Sequence, residues 1–288
     1  MNESLTLMVV HAHPDDEVIG TGGTLARYSA EGVRTVLVTC TLGEEGEIVV
    51  PELNTPEVKA RLAEVRREEL DQAVAILGVS DLEILGYRDS GMAGTPSNEH
   101  PASFNKADLD EATGRLVRLV RAYRPQVLVS YNEHGGYGHP DHIAAHKITV
   151  AAFEAAADAA RYPEAGAPWR PLKLYYINSP RRQIRDAWAA MQERGLKTPL
   201  DDPNFDISRF TVPDDMITTV IDIGDHLQQK LDALFVHRTQ IAADGVFLSI
   251  PEDIRQVVFS KEYFSRVASH VAVLQAGEYE DDLFAGIR

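Results

Sequence analysis

Cysteine is almost missing from this chain: Cys40 stands alone among 288 residues, which excludes an intrachain disulfide framework. Its setting, Val36-Leu37-Val38-Thr39-Cys40, is apolar and reads as a buried strand rather than the surroundings of a nucleophile. Basic residues are also short, with 28 Lys+Arg against 44 Asp+Glu and a formal net charge of −16. Such a surface repels phosphate backbones and anionic membranes, so neither nucleic acid nor membrane is expected as a partner. Long apolar runs are lacking: nothing approaches the ~20 residues a membrane helix needs. The N-terminus has no basic n-region, and its apolar run is cut short by His11 and Asp15, so the chain is read as cytoplasmic. What remains is ordinary for a globular protein, 44% hydrophobic and 25% charged. The length suits one large α/β domain, or a domain with a smaller appendage.

Short β-like runs alternate with helical periods through the first half. Strands are expected at Leu5–Val10, Thr35–Thr41, Leu82–Leu85 and Gln126–Tyr131. Helices are expected near Thr21–Ala30, from Pro56 to about Leu77, at Asp108–Tyr123, and from about Asp141 to Ala160. The pattern predicts a Rossmann-like, mostly parallel α/β sheet with helices on both faces. Pro163-Glu164-Ala165-Gly166 reads as a hinge. Beyond it, strands are expected at Leu172–Ile177 and Ile217–Ile221, and helices at Arg181–Arg194, Asp225–Phe235 and part of Lys261–Gln275. The division expected is a catalytic core over 1–180 and a C-terminal portion over 181–288 that packs on it and shapes substrate choice. The Asp/Pro-rich stretch Pro199–Pro213 is irregular, either a substrate-covering loop or a bland surface one.

Two clusters carry the chemistry. One is His11-Ala12-His13-Pro14-Asp15-Asp16-Glu17, after the first strand. The other is His134-Gly135-Gly136-Tyr137-Gly138-His139-Pro140-Asp141-His142, after the fourth. A doubly wound sheet of order 3-2-1-4 makes these strands neighbours and brings both loops to one crevice, where such folds bind ligands. His13, Asp16 and His142 would then offer two imidazoles and a carboxylate, the donor set of a catalytic zinc site that keeps a position for water. Zinc lowers the pKa of its water to about 7. Asp15, beside a ligand but pointing elsewhere, suits a general base. His139 can protonate the leaving group or steady the oxyanion, with Asp141 fixing its tautomer. Tyr137, between glycines, either polarises the substrate carbonyl or merely covers it.

His13-Pro14-Asp15-Asp16-Glu17 together with Gly138-His139-Pro140-Asp141-His142 resembles the zinc de-N-acetylases of N-acetylglucosaminyl compounds, the LmbE-like or PIG-L-like family. The resemblance spans roughly the first 180 residues. It implies a Rossmann-like fold, one zinc (or ferrous) ion per chain on His13, Asp16 and His142, Asp15 as base, and an electrostatic role for His139 supported by Asp141. Thr41–Glu47, Asp89-Ser90-Gly91 and Gly135–His139 look closest to the mycothiol branch, which holds deacetylases of N-acetylglucosaminyl-inositol and amidases of mycothiol S-conjugates. On that likeness Arg66, Asp89 and Glu47 would bind sugar or inositol hydroxyls. Arg66 also fits a plain solvated helix face with i,i+4 pairs. Conjugate amidases tend to carry a basic residue soon after the first motif. Here Val18-Ile19-Gly20-Thr21-Gly22-Gly23 follows the wider deacetylase pattern instead. The expected activity is metal-dependent removal of an N-acyl (acetyl) group from a small glucosamine-containing substrate such as N-acetylglucosaminyl-inositol. Thiol-conjugate hydrolysis is the alternative, and homo-oligomer formation is open.

Other signals point elsewhere. Two histidines and a carboxylate also form the facial triad of non-haem iron oxygenases, although those usually stand on a β-jelly-roll. A non-catalytic sugar- or metal-binding module would be expected to lack the base, whereas Asp15 and His139 are present. Gly20-Thr21-Gly22-Gly23 lacks dinucleotide-binding spacing and reads as close helix packing. His11 reads as a supporting residue and His237 as a weak site candidate. His100, His134, His146 and His270 read as surface or structural.

Overall fold

Every second residue of β1 (Thr6–His11) faces the same side of its sheet, and both sides are apolar. Leu7 and Val9 join one core cluster, Met8 and Val10 the other. A strand buried on both faces belongs in the middle of a parallel sheet. The computed structural model, which describes residues 4–242, 250–272 and 278–288, places it there. With β2 (Arg34–Thr39), β3 (Asp81–Ile84), β4 (Val127–Tyr131), β5 (Lys173–Asn178), β6 (Thr219–Asp222) and β7 (Lys261–Ser269), the seven-stranded order is β3-β2-β1-β4-β5-β7-β6. β1 to β5 are parallel, and β7 runs antiparallel to both its neighbours. The expected 3-2-1-4 order holds, and the C-terminal strands extend the same sheet.

Helices cover both faces. On the Leu7/Val9 side lie α1 (Asp16–Ala30) and α3 (Leu62–Leu77), which follows the short α2 (Pro56–Ala60). α4 (Leu109–Tyr123) lies on the other side; Asp108 caps its N-terminus by accepting the Glu111 N–H at 2.9 Å. The single turn α5 (Gly135–Gly138) leads into α6 (Pro140–Ala155), also on that side. α7 (Arg181–Gln192), α8 (Leu227–Phe235) and α9 (Glu252–Phe259) follow, and α8 joins the Leu7/Val9 cluster.

Four expectations need correction. α1 starts at Asp16 rather than near Thr21, because Asp16 and Glu17 form its acidic first turn, where negative charge opposes the helix dipole favourably. The helix expected over Pro56–Leu77 is interrupted at Arg61, whose φ of −129° is not helical. Lys261–Ser269 is a strand, not a helix. Tyr263, Phe264 and Val267 favour a strand, and pairing on both sides overrides helical propensity. The end of that expected helix, residues 273–275, lies outside the described residues. Finally, Pro163–Ala165 is no hinge. The guanidinium of buried Arg121 donates to the carbonyls of Ala155, Ala156, Asp158, Arg161, Tyr162 and Gly166, fastening this stretch to α4.

Candidate active site

Four residues, Ala12 to Asp15, turn the chain from β1 into α1. Asp15 adopts φ 105°, a region that residues with a Cβ rarely occupy. Its N–H donates to Glu17 Oε2 at 2.8 Å. The Arg66 guanidinium donates to the Pro14 carbonyl, to Gly43 O at 2.7 Å and to Asp15 Oδ2 at 3.3 Å. This turn sends the adjacent aspartates to different partners. Asp15 faces Arg66. Asp16 Oδ2 accepts the His13 N–H at 2.8 Å and lies 3.3 Å from both His13 Nδ1 and His142 Nε2.

The loop after β4 holds its histidines equally firmly. His142 Nδ1 lies 3.1 Å from Gly135 O, which assigns the proton there and leaves the Nε2 lone pair facing Asp16. That Nε2 is buried and has no hydrogen-bond partner. Gly135 sits so close that a Cβ on it would meet His142 Cβ at 2.7 Å, and the Tyr131 ring stacks on the imidazole at 4.2 Å. His139 caps α6, its Nδ1 accepting the Asp141 N–H at 3.2 Å, so Nε2 is left as the N–H donor. The Asp141 carboxylate is therefore not on His139, contrary to expectation. It accepts from His13 Nε2 at 3.2 Å and from the Ser90 N–H and hydroxyl, because the first turn of α6 points it toward β1. Among the described residues, two groups bring their ligand atoms within 4.8 Å of one another: His13, His139 and His142, and His13, Asp89, His139 and Asp141.

The electrostatics favour a cation. Burial opposes charge on His13, yet its hydrogen bonds to Asp141, Asp16 and Asp89 raise its pKa well above the ordinary value. Burial also opposes charge on Asp16, but His142 and His13 hold it well below the carboxylate range. Asp15 differs: burial pushes it up to about 6, against the pull of Arg66. His139 is lowered to about 3 by burial and by the neighbouring His13 and His142, so it is neutral at pH 7.

Two cavities meet here. Asp89, Glu47 and Arg66 line the smaller one with His13 and His139. Asp89 is buried, accepting the Gly91 and Glu45 N–H groups, while Glu47 is exposed. Arg66 is 3% exposed, so the plain solvated-face alternative is wrong. Tyr137 is 42% exposed, its ring edge-on to His142 at 4.9 Å. The sequence reading missed Glu17, which accepts the Asp15 N–H and pairs with buried His237 at 2.7 Å. Two acids in succession after His-Pro-Asp were the available signal. His11 is a supporting residue, bonded to Tyr131 and Thr21 and held at about pKa 4 by burial. Cys40 is buried. A Cβ on Gly23 would meet Ile223 at 2.5 Å, so the glycine run serves packing.

The model of the family described as PIG-L: GlcNAc-PI de-N-acetylase matches residues 8–153, spanning both motifs. The chain belongs to this family. A relative from Geodermatophilus obscurus is 45% identical over 296 residues, covering 100% of this chain and 99% of its own. One from Thermobifida fusca is 46% identical over 285 residues, covering 97% and 98%. Both are named 1D-myo-inositol 2-acetamido-2-deoxy-alpha-D-glucopyranoside deacetylase. Among solved structures, N,N'-diacetylchitobiose deacetylase from Pyrococcus horikoshii aligns with a TM-score of 0.63 at 21% identity, covering 92% of this chain and 84% of that one. The 4-carboxy-2-hydroxymuconate hydratase GalB of Pseudomonas putida aligns with a TM-score of 0.58 at 21% identity, covering 94% and 100%. Family members and this hydratase thus share a fold, and the chemistry must be argued from the site.

Proposed function

We propose that the chain removes the N-acetyl group of an N-acetylglucosaminyl-inositol by hydrolysis, with one divalent cation held by His13, Asp16 and His142. The observation that carries this reading is the buried Nε2 of His142, without a hydrogen bond and 3.3 Å from the Asp16 carboxylate that also meets His13 Nδ1 at 3.3 Å. A lone pair fixed in that position by a hydrogen bond on the opposite ring nitrogen is the arrangement of a metal-binding histidine. The names of the relatives at 45–46% identity support the substrate. Zinc is the proposed ion, with ferrous iron the alternative for these donors. When bound, it supplies Lewis-acid activation of water and of the amide carbonyl.

The chain's own residues do the rest. Asp15, with a pKa of about 6, is ionised at neutral pH yet basic enough to take the proton of the attacking water. Arg66 holds it in place, and the same carboxyl can return the proton to the departing amine. His139 is neutral, with Nδ1 engaged by the Asp141 N–H, so it offers Nε2–H to the developing oxyanion rather than a proton. Asp141 acts on His13 instead, holding Nε2–H so that Nδ1 keeps its lone pair for the cation. Tyr137 lies beside the reacting groups and polarises the substrate carbonyl. Asp89 and Glu47 bind sugar or inositol hydroxyls. The hydroxyl-binding share of Arg66 is small, since both its terminal nitrogens already serve protein acceptors. The neutral Val18–Gly23 stretch favours deacetylation over thiol-conjugate hydrolysis.

The test is a side-by-side assay of N-acetylglucosaminyl-inositol, free N-acetylglucosamine and a mycothiol S-conjugate, before and after chelation. The first substrate should be cut fastest, with activity lost on chelation and restored by zinc or ferrous iron. Full activity after exhaustive metal removal, or a preference for the S-conjugate, contradicts the reading.

A further inference from the structure

The two cavities at the reacting residues differ in chemistry. The smaller, about 320 Å³, presents Glu47, Asp89 and Gln240, groups suited to hydroxyls, beside Arg66, Glu45 and Ser97, which serve protein partners. The larger, about 750 Å³, has walls of Ile19, Ile177, Ile184, Phe210, Val212 and Tyr263. Asp15, Asp16 and Tyr137 line both. Lys230 and Glu262 also border the larger cavity, but they pair at 2.6 Å, Lys230 donates to Ile19 O, and Glu262 accepts the Gly23 and Thr24 N–H groups. These two buried charges are met within the protein, and exposed Arg209 and Lys261 also border the cavity, so its apolar walls are left for a ligand.

We infer that the larger cavity receives the acyl half of the amide, and that the chain also removes linear apolar acyl groups longer than acetyl from a glucosamine nitrogen. The inference rests on the proposed deacetylation and extends its substrate range. A sugar seated in the carboxylate-rich cavity brings its amide to Asp15 and Asp16. The substituent on the acyl carbon projects away from the nitrogen, toward the cavity on the other side of those residues. Acetyl offers that space one methyl group, whereas cavities of this volume enclose whole drug-sized ligands. Phe210 is 46% exposed and backed by the parallel Phe205 ring at 5.6 Å, so an aromatic wall is already formed. Removing an alkyl chain from water against such walls is favourable in proportion to the area covered. The reaction is balanced as for acetyl: water adds, the C–N bond breaks, and a carboxylate and a free amine leave.

The test compares glucosaminyl-inositol carrying N-acetyl, N-butanoyl and N-hexanoyl groups. For the wild-type protein kcat/KM for N-hexanoyl should stay within about tenfold of acetyl, with KM no higher than for acetyl because the added methylenes leave water. Ile184→Trp and Val212→Trp, which narrow the cavity from separate segments, should each cut N-hexanoyl turnover at least tenfold and leave acetyl turnover unchanged. Calorimetry with N-hexanoyl substrate on Asp15→Ala should show binding that either tryptophan removes. Wild-type activity confined to acetyl overturns the inference while the proposed function stands; so do tryptophan variants that treat all three substrates alike. Failure to cut even the acetyl compound overturns the proposed function itself, and the inference with it.

Discussion

The first five strands meet through apolar side chains, whereas the C-terminal portion adds buried charges to its apolar contact with them. The core around β1 and β4 is almost wholly aliphatic, with Leu7, Val9, Leu116, Val127 and Ile148 excluded from water. The C-terminal portion joins that core through apolar residues such as Ile221, Ile223, Leu231 and Phe264, and adds buried charges. Lys173 on β5 meets Glu280 at 2.9 Å, Glu262 on β7 accepts the Gly23 and Thr24 N–H groups of α1, and His237 meets Glu17 at 2.7 Å. Apolar contact drives burial but tolerates sliding, whereas a buried ion pair adds little net stability and demands one geometry. The contrast assigns the parallel sheet to stability and the C-terminal pairs to register. Those pairs fix where the wall of the larger cavity sits and how Glu17 supports Asp15.

Breaking one charge of a pair should be the most costly change. Lys173→Met leaves Glu280 buried with Arg266 as its remaining cation, and should cost about 3–5 kcal/mol in chemical denaturation. Leu116→Ala, its counterpart in the aliphatic core, should cost about 2–5 kcal/mol by cavity formation, with no change in substrate range. A pair lost at no cost to stability would erase the contrast. Acid should expose the same difference. Burial opposes charge on Glu280, but hydrogen bonds from Tyr175, Lys173 and Arg266 hold its pKa below the ordinary value. Its contribution is therefore complete above the unfolded pKa of about 4.3 and is lost as pH falls through the lower folded value. Melting temperature followed against pH should decline more gently on the acid side in Glu280→Gln.

Smaller effects sharpen the comparison. Gly23→Ala forces α1 away from Ile223, for about 1–3 kcal/mol of overpacking measured by thermal melting. His237→Ala removes the partner of Glu17 and should lower kcat by about ten- to a hundredfold through a displaced Asp15, with KM little changed. An equal rise in KM would assign His237 to substrate binding instead.

Legibility in the sequence followed the same division. The strands, their 3-2-1-4 order and the two motif loops were readable because buried parallel strands are short, apolar and bounded by helices. The roles within the loops were less so. Asp141 was expected to serve His139, but the orientation of a side chain in the first turn of α6 depends on β1, more than a hundred residues earlier. Arg66 read equally well as solvated, since only the tertiary fold brings Gly43 and Pro14 onto its guanidinium. β7 was expected to be helical because pairing with β5 and β6 lies far away in sequence. Pro251-Glu252-Asp253 marks the start of α9, a local signal that was available.

The central claim is the division of labour between neighbouring aspartates, Asp16 for the cation and Asp15 for the proton. Metal content and turnover of N-acetylglucosaminyl-inositol, measured on the same preparations of Asp15→Asn and Asp16→Asn, test it most directly. Asp15→Asn should keep one ion per chain and lose about 10²- to 10⁴-fold in kcat, whereas Asp16→Asn should lose the ion itself. Full turnover in Asp15→Asn, or an undiminished ion content in Asp16→Asn, would contradict the account.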